Sequence, residues 1–135
     1  MRKFRGKRKD NGEWVYGSYY TRRYDPDRPE DIIIDTDGVM FIVIPETVGQ
    51  STGKTERWRQ DRLVWEGDIV KFRFEYGFIG NLQQKTVRAV VVYNTNTAQY
   101  EVGGHSLEDA LDKGGKVIGD IHSNPELLET DPETQ

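Results

Sequence analysis

The stretch GQSTGKT, Gly49–Thr55, contains the residue types of a loop that binds the phosphates of ATP or GTP. Such a phosphate loop places four residues between its first Gly and its Gly-Lys-Ser/Thr ending, and a long helix follows. Here only three residues separate Gly49 from Gly53, which removes one backbone N–H from the ring around the phosphates. The charged residues after Thr55 are too few and too weakly amphipathic for that helix. The spacing therefore argues against a nucleotide site.

The segment DTDG, residues 35–38, begins like a calcium-binding loop. An EF-hand loop needs a further acid or Asn before its Gly and a Glu six residues after it, and that second position is Ile44. The spacing argues against calcium. The alternative for this segment is a tight hairpin turn of type I′ or a similar type.

The histidines and acids offer one pair that could do chemistry. His105 and His122 are the only histidines, and neither has the spacing of a ligand pair. Asp120 and His122 lie two residues apart, so on a strand they would share a face and could pair. Cysteine is absent and no serine has a G-x-S-x-G context, so nucleophilic catalysis has no candidate. We expect no enzyme activity, no metal and no cofactor.

Basic residues are concentrated at the N-terminus, where aromatic residues interleave with them, as they do again in KFRFEY. Small barrels use this combination to neutralise phosphates and stack bases. The contrast between this basic start and the acidic end NPELLETDPETQ also fits a nucleic-acid arm. Against this interpretation, the sequence pI is about 5.2, and aromatic residues on strands usually belong to the core. Head-to-tail association of subunits and a merely solvated surface are the alternatives. The candidate nucleic-acid contacts are Arg2, Lys3, Arg5, Lys7, Arg8 and Lys9.

The elements that position these side chains fit one small domain, because 135 residues suffice for a single modest core. No apolar run reaches the roughly 18 residues that a membrane span needs, and the basic start lacks the apolar segment of a signal peptide. We therefore expect a cytoplasmic protein without a membrane partner. The expected organisation is one domain over residues 1–129 and a disordered acidic tail over residues 130–135.

Alternating side chains and turn residues predict a series of short strands. RKFRGKR and EWVYGSYY form a hairpin around Asn-Gly, and residues 32–34 and 39–44 form a second hairpin of apolar strands central to the core. Residues 45–62 are predicted to form an extended loop with space for one turn of helix. In DIVKFRF the apolar residues share one face of a strand, and they are Val70, Phe72 and Phe74.

Two short helices are predicted near the end of the chain. Ser106 is the N-cap of the first, which ends at Gly114, and Asn124 caps the second, with Pro125 at its first position. The predicted fold class is mainly β with some α (α+β). It consists of a small curled mixed sheet or an SH3-like barrel, with short C-terminal helices.

Four segments in the same order along the chain resemble the YopX family of bacteriophage and prophage proteins. They are KFRGKRKDNGEWVYGSYY, IPETVGQSTG, WEGDIVKF and VIGDIHSNPELLE. The resemblance extends through nearly the whole chain. It departs at KTERWRQDR, which is longer than the short charged hairpin of the family and lacks its Asn-Gly turn.

The resemblance implies a small, mainly β protein with an SH3-like curled sheet that assembles into homo-oligomers. It transfers no catalytic residue and no ligand to this chain. Gly49 and Gly53 are expected to shape a loop between core strands. Glu66, Gly67 and Asp68 are expected to form a sharp turn, in which Gly67 adopts an unusual backbone angle and Asp68 bonds to turn N–H groups.

The leading hypothesis is a phage or prophage accessory protein that is not an enzyme and acts as a homo-oligomeric interaction module in the bacterial cytoplasm. Its expected partner is itself, and a host or phage protein is a further candidate. Trp14, Trp58 and Trp65 are candidate surface side chains. The alternative is a nucleic-acid-binding module that uses the basic N-terminal hairpin. An enzyme or ligand binder that uses Asp120 and His122 is the third hypothesis.

Overall fold

A computed structural model describes residues 3–128, and its strands are short and numerous. The chain divides into two compact units, Met1–Ser51 and Thr52–Gln135. Two 3₁₀ turns, Pro45–Thr47 and Pro125–Leu128, accompany the strands and one α-helix. These are β1 Phe4–Lys7, β2 Trp14–Arg22, β3 Glu30–Ile34, β4 Met40–Ile42, β5 Gly49–Thr55, β6 Leu63–Trp65, β7 Asp68–Phe78, β8 Asn81–Val90, β9 Val92–Asn94, β10 Gln99–Val102, β11 His105–Ser106, α1 Leu107–Asp112 and β12 Lys116–Asp120.

The first unit is a curled antiparallel sheet. β1 pairs with β2, β2 with β3, and β3 with β4. After β4 the chain returns to β1, because Val43 bridges Arg8 and the amide of Ile44 donates to the carbonyl of Lys7. Among the described residues this bridge joins the chain after β4 to β1, and the described strands do not close into a barrel.

Close packing in this unit depends on Gly6. A Cβ at Gly6 would lie 3.1 Å from Cδ1 of Ile33 and 3.2 Å from Cβ of Val43, and both side chains are buried. Residues 39–44 were predicted as a central strand, which is wrong: the strand covers only Met40–Ile42, and Val43, just after it, is the buried residue of this run. β4 lies at the edge of the sheet, and Met40 is 50% exposed. Apolar residues on both faces of a strand did not show whether the strand lies in the middle of the sheet or, like β4, at its edge.

The DTDG hairpin joins β3 to β4 and uses its own carboxylate for hydrogen bonding. Asp35 accepts the amides of Asp37 and Val39, each at 2.9 Å. Gly38 has a positive φ of 81°, whereas Thr36 and Asp37 do not. A type I′ turn needs positive φ at both central residues, so that type is wrong here. The Asp35 carboxylate thus stabilises the turn between β3 and β4.

In the second unit, β7 lies between β8 and β12, while β10 lies between β9 and β11. Val70 and Phe72 face the core as predicted, and the half-buried Phe74 packs against it. The Ser106 hydroxyl accepts the amide of Asp109 at the start of α1. The buried core comprises Val64, Val70, Phe72, Val91, Val102, Leu107, Ala110 and Leu111.

The prediction of a mainly β chain is confirmed. The described strand pairs are all antiparallel, so the mixture of parallel and antiparallel strands in the prediction is wrong, and the described strands form open sheets and no closed barrel. Short helical segments follow Ser106 and Asn124 as expected, although the second is a 3₁₀ turn. The prediction of one domain stays a prediction beside the two compact units, and the predicted tail, residues 130–135, lies outside the described residues.

A tyrosine in the first unit gives a prediction for alkaline pH. The Tyr19 hydroxyl donates to the Asp31 carboxylate, and this hydrogen bond raises the pKa of Tyr19 above its ordinary value of 10.0. Its stabilisation is complete below the unfolded pKa and is lost as the pH rises through the raised folded pKa. We expect stability in urea to fall above about pH 10, and to fall less steeply in Tyr19→Phe. Tyr24→Phe, at an exposed ring, is the control; equal slopes in all three proteins would contradict this assignment.

Candidate functional site

The segments WEGDIVKF and VIGDIHSNPELLE meet at one end of the sheet formed by β12, β7 and β8. Asp68 on β7 pairs in register with Asp120 on β12. The amide of Ile121 donates to the carbonyl of Gly67 at 2.9 Å. Both aspartates are buried, with 3% and 8% of their surface exposed. Two segments far apart in sequence therefore form one structure, which we call the motif junction.

The two carboxylates of the motif junction accept hydrogen bonds from the backbone. Asp68 accepts the amide of Trp65 at 2.8 Å across a turn in which Gly67 has a φ of 93°. Asp120 accepts the amides of His122 at 3.0 Å and Ser123 at 2.8 Å. Buried carboxylates that accept amides organise turns. The carboxylates of Asp68 and Asp120 therefore both stabilise turns of the backbone.

The two histidines lie outside β12, the strand that ends at Asp120. β12 ends at Asp120, so the exposed His122 lies in the following turn and not on the same strand face, as had been predicted. The His105 ring lies 4.6 Å from the Phe74 ring and 3.7 Å from the Asp109 carboxylate. Hydrogen bonding from Lys113 lowers the pKa of Asp109. Among residues 3–128, no group of three acidic or imidazole side chains could hold a metal.

The stretch GQSTGKT is strand β5, so the prediction of a loop is wrong for these residues. Gly49 and Gln50 pair with β1, and the Thr52 hydroxyl donates to the carbonyl of Val64 at 2.6 Å. Gly53 has a φ of 75° near the end of the strand. The backbone hydrogen bonds of β5 come from its partner strands. A polar sequence that contains glycine does not indicate that such partners exist. The extended strand does not form the ring of N–H groups that a phosphate loop needs.

The segment after β5 was predicted to belong to an extended loop with space for one turn of helix, and it forms consecutive turns in which the amides of Arg59 and Arg62 donate to the carbonyls of Glu56 and Arg59. Glu56 is buried, and its carboxylate accepts the amide of Val117 at 2.6 Å. Arg57 forms an ion pair with Asp112 at 2.7 Å. The next residue, Trp58, is 83% exposed, as predicted for a surface side chain.

The basic N-terminal residues do not form one exposed surface. Arg5 is buried and its guanidinium lies 4.2 Å from the Trp14 ring, which Lys7 also approaches. Arg8 forms an ion pair with Asp10 at 2.7 Å. Lys3 and Lys9 are exposed, while Arg2 lies outside the described residues. Burial of Arg5 contradicts its predicted role as a surface contact.

Several exposed apolar side chains are clustered at the tip of the β7–β8 hairpin. All residues from 75 to 85 are exposed, and we call this segment the arm. Phe78 is 82% exposed and Ile79 fully exposed, while Tyr76 and Leu82 are about half exposed. Trp65 is buried, so it is not the surface residue that had been predicted. The arm was missed, because Ile79 and Gly80, the two residues between Phe78 and Asn81, are not one of the pairs that signal a tight hairpin turn.

These features define a mainly β protein with open antiparallel sheets, buried turn-forming carboxylates and an exposed apolar arm. The family model described as YopX protein matches residues 3–129, and the chain belongs to the YopX family. This confirms the resemblance of the four segments. No curated protein and no solved structure matches the chain. None of the described helices has the length and apolar character to cross a membrane.

Proposed function

We propose that this chain is a phage or prophage accessory protein that acts in the bacterial cytoplasm as a homo-oligomeric interaction module. It is not an enzyme in this proposal. The observation that carries the proposal is the arm, whose apolar side chains Phe78 and Ile79 are exposed to water. The use of the buried Asp68 and Asp120 carboxylates in turns supports a non-catalytic role.

Burial of the exposed apolar side chains of the arm in an interface would stabilise a complex with a partner. A two-stranded hairpin is marginally stable alone in water, and the arm extends beyond the part of β7 that the core covers. Burying a side chain of the size of Phe or Ile contributes about 1.5–3 kcal/mol. Covering Phe78 and Ile79 in an interface therefore contributes about 3–6 kcal/mol per chain toward association.

The free edge of the arm suits a second copy of the chain. β8 is the last strand of its sheet, and its arm portion carries Lys85 as its single charged side chain. A long edge strand with few charges is a template for strand addition. Two antiparallel copies of one strand can pair about a two-fold axis, which is the commonest symmetry of homo-oligomers.

We expect the native protein to have a mass in solution above the 15.6 kDa of one chain. Replacing both Phe78 and Ile79 by Ser should shift the mass toward the monomer, because the apolar contact is lost. Gel filtration with light scattering measures this shift over a range of concentrations. Trp58→Ser removes an equally exposed ring outside the arm and should leave the mass unchanged. A monomeric native protein at high concentration would overturn the proposal.

A further inference from the structure

The free edge of β8 presents a short and regular run of exposed backbone. Residues 81–85 are all exposed, whereas residues 86–90 of the same strand are half-buried. None of residues 81–90 has a positive φ. The outer edge of β7 in the arm is less regular, because Gly77 has a φ of 108°, outside the range of a β-strand. Strand addition to the arm is therefore favoured at residues 81–85.

The turn at the tip of the arm determines which backbone groups face this edge. Only two residues separate Phe78 from Asn81, so these two residues exchange hydrogen bonds at the end of the hairpin. Hydrogen-bonded and non-hydrogen-bonded pairs alternate along antiparallel strands. Gly77 and Leu82 are therefore a non-hydrogen-bonded pair. The N–H and C=O groups of Leu82, and those of Gln84 two residues further on, consequently point away from β7 and toward a further strand.

We propose that the exposed runs of β8 in two copies pair as antiparallel strands about a two-fold axis at Gln83, an inference that rests on the proposed homo-oligomer. This axis sets Leu82 opposite Gln84 of the partner copy, so that their outward backbone groups meet. An axis at any other residue leaves part of each exposed run without an exposed partner. The axis at Gln83 also sets Lys85 opposite the neutral Asn81, whereas an axis at Lys85 would oppose two like charges, which destabilises a sheet.

The pairing joins the β12–β7–β8 sheets of two copies and gives partners to exposed side chains. The two Gln83 side chains lie next to each other at the axis. The Tyr76 hydroxyl donates to Oε1 of Gln83 at 2.9 Å, and the Gln83 amide nitrogen can donate to the other copy. The tip of each arm is set beside Thr86 and Val87 of the partner copy, where the half-buried part of β8 begins. This contact removes surface of the fully exposed Ile79 from water.

The chain contains no cysteine, so disulfide formation by single cysteine variants reports the register. Two Gln83→Cys side chains would face each other in a non-hydrogen-bonded pair with Cα atoms about 4.5 Å apart, which a disulfide can span. In Gln84→Cys the two cysteines would be diagonal neighbours about 7–8 Å apart, which is too far.

Non-reducing gels under mild oxidation measure the cross-linking. We expect Gln83→Cys to form covalent dimers at least about tenfold faster than Gln84→Cys, because pairing makes the reaction effectively intramolecular. Trp58→Cys, at an exposed position outside the arm, is the control for random collision and should be equally slow. An equal mixture of Leu82→Cys and Gln84→Cys should form mixed dimers, since these two positions are opposite each other.

Light scattering separates this inference from the proposed function. A native oligomer in which Gln83→Cys cross-links no faster than Trp58→Cys would overturn the β8 pairing and leave the homo-oligomer in place. Faster cross-linking of Gln84→Cys than of Gln83→Cys would overturn the axis at Gln83. A monomeric native protein would overturn both proposals and leave the edge to a strand of a different protein. Circular dichroism and light scattering of the reduced variants verify that they fold and assemble as the native protein does.

Discussion

Replacing Gly17 by Ala should destabilise the protein by about 3 kcal/mol, which is the upper part of the range for inserting an atom into a packed site. A Cβ at Gly17 would lie 1.9 Å from the carbonyl oxygen of Ile34 and 3.1 Å from Cα of Asp35. The carbonyl belongs to the backbone of β3, which is paired with β2 at Ser18 and Ile34. It cannot retreat unless the pairing of the two strands breaks.

Urea unfolding followed by tryptophan fluorescence measures this effect, since Trp14 begins the strand that contains Gly17. Gly38→Ala is the matched control, because Gly38 also has positive φ but has no atom within 4 Å of its added Cβ. The control should lose only the cost of the left-handed backbone, about 1 kcal/mol. If Gly17→Ala lost no more than the control, the overlap with Ile34 would not be the cause.

Replacing Asp68 by Ala should cost about 2–3 kcal/mol, because it leaves a buried amide without its acceptor. The Asp68 carboxylate accepts the amide of Trp65 at 2.8 Å, and both groups are buried. Water cannot replace the lost acceptor in this position. The substitution also removes side-chain volume beside Asp120, its partner on β12.

Thermal or urea unfolding of Asp68→Ala, Asp68→Asn and Asp35→Ala separates the contributions. Asn retains an acceptor oxygen, so its loss should be smaller than that of Ala. Asp35 accepts two amides in an exposed turn, where water can take its place, so its removal should cost about 1 kcal/mol or less. Native stability in Asp68→Ala would show that the motif junction does not depend on this carboxylate.

The strand pattern and its turns were predictable because the signals are local. Alternation placed Val70 and Phe72 on the core face, and Ser106 indicated the start of α1. Asn-Gly at residues 11–12 marked the first hairpin, in which Gly12 has a φ of 75°. Side-chain period and turn chemistry act over a few residues, so they remain readable without knowledge of the fold.

The strand pairing of GQSTGKT could not be predicted, since it depends on distant partners. Gly49 pairs with Arg5, and Thr52 reaches the carbonyl of Val64. The polar and glycine residues of β5 carry a weak strand signal, and their similarity to a phosphate loop is one of composition. The pairing supplies backbone hydrogen bonds that propensity alone does not predict.

The sequence by itself determined the mainly β class, the hairpins, the cap of α1 and membership of the YopX family, because these depend on short-range patterns and on ordered motifs. Only the tertiary structure decided that Arg5 is buried against Trp14, that Asp68 and Asp120 are register partners at the motif junction, and that the arm is exposed. The physical reason is that burial and pairing are properties of contacts between distant segments. Phe72 and Phe78 follow the same alternation along β7, yet Phe72 is buried and Phe78 is exposed. The position at which the core ends between them depends on the tertiary structure.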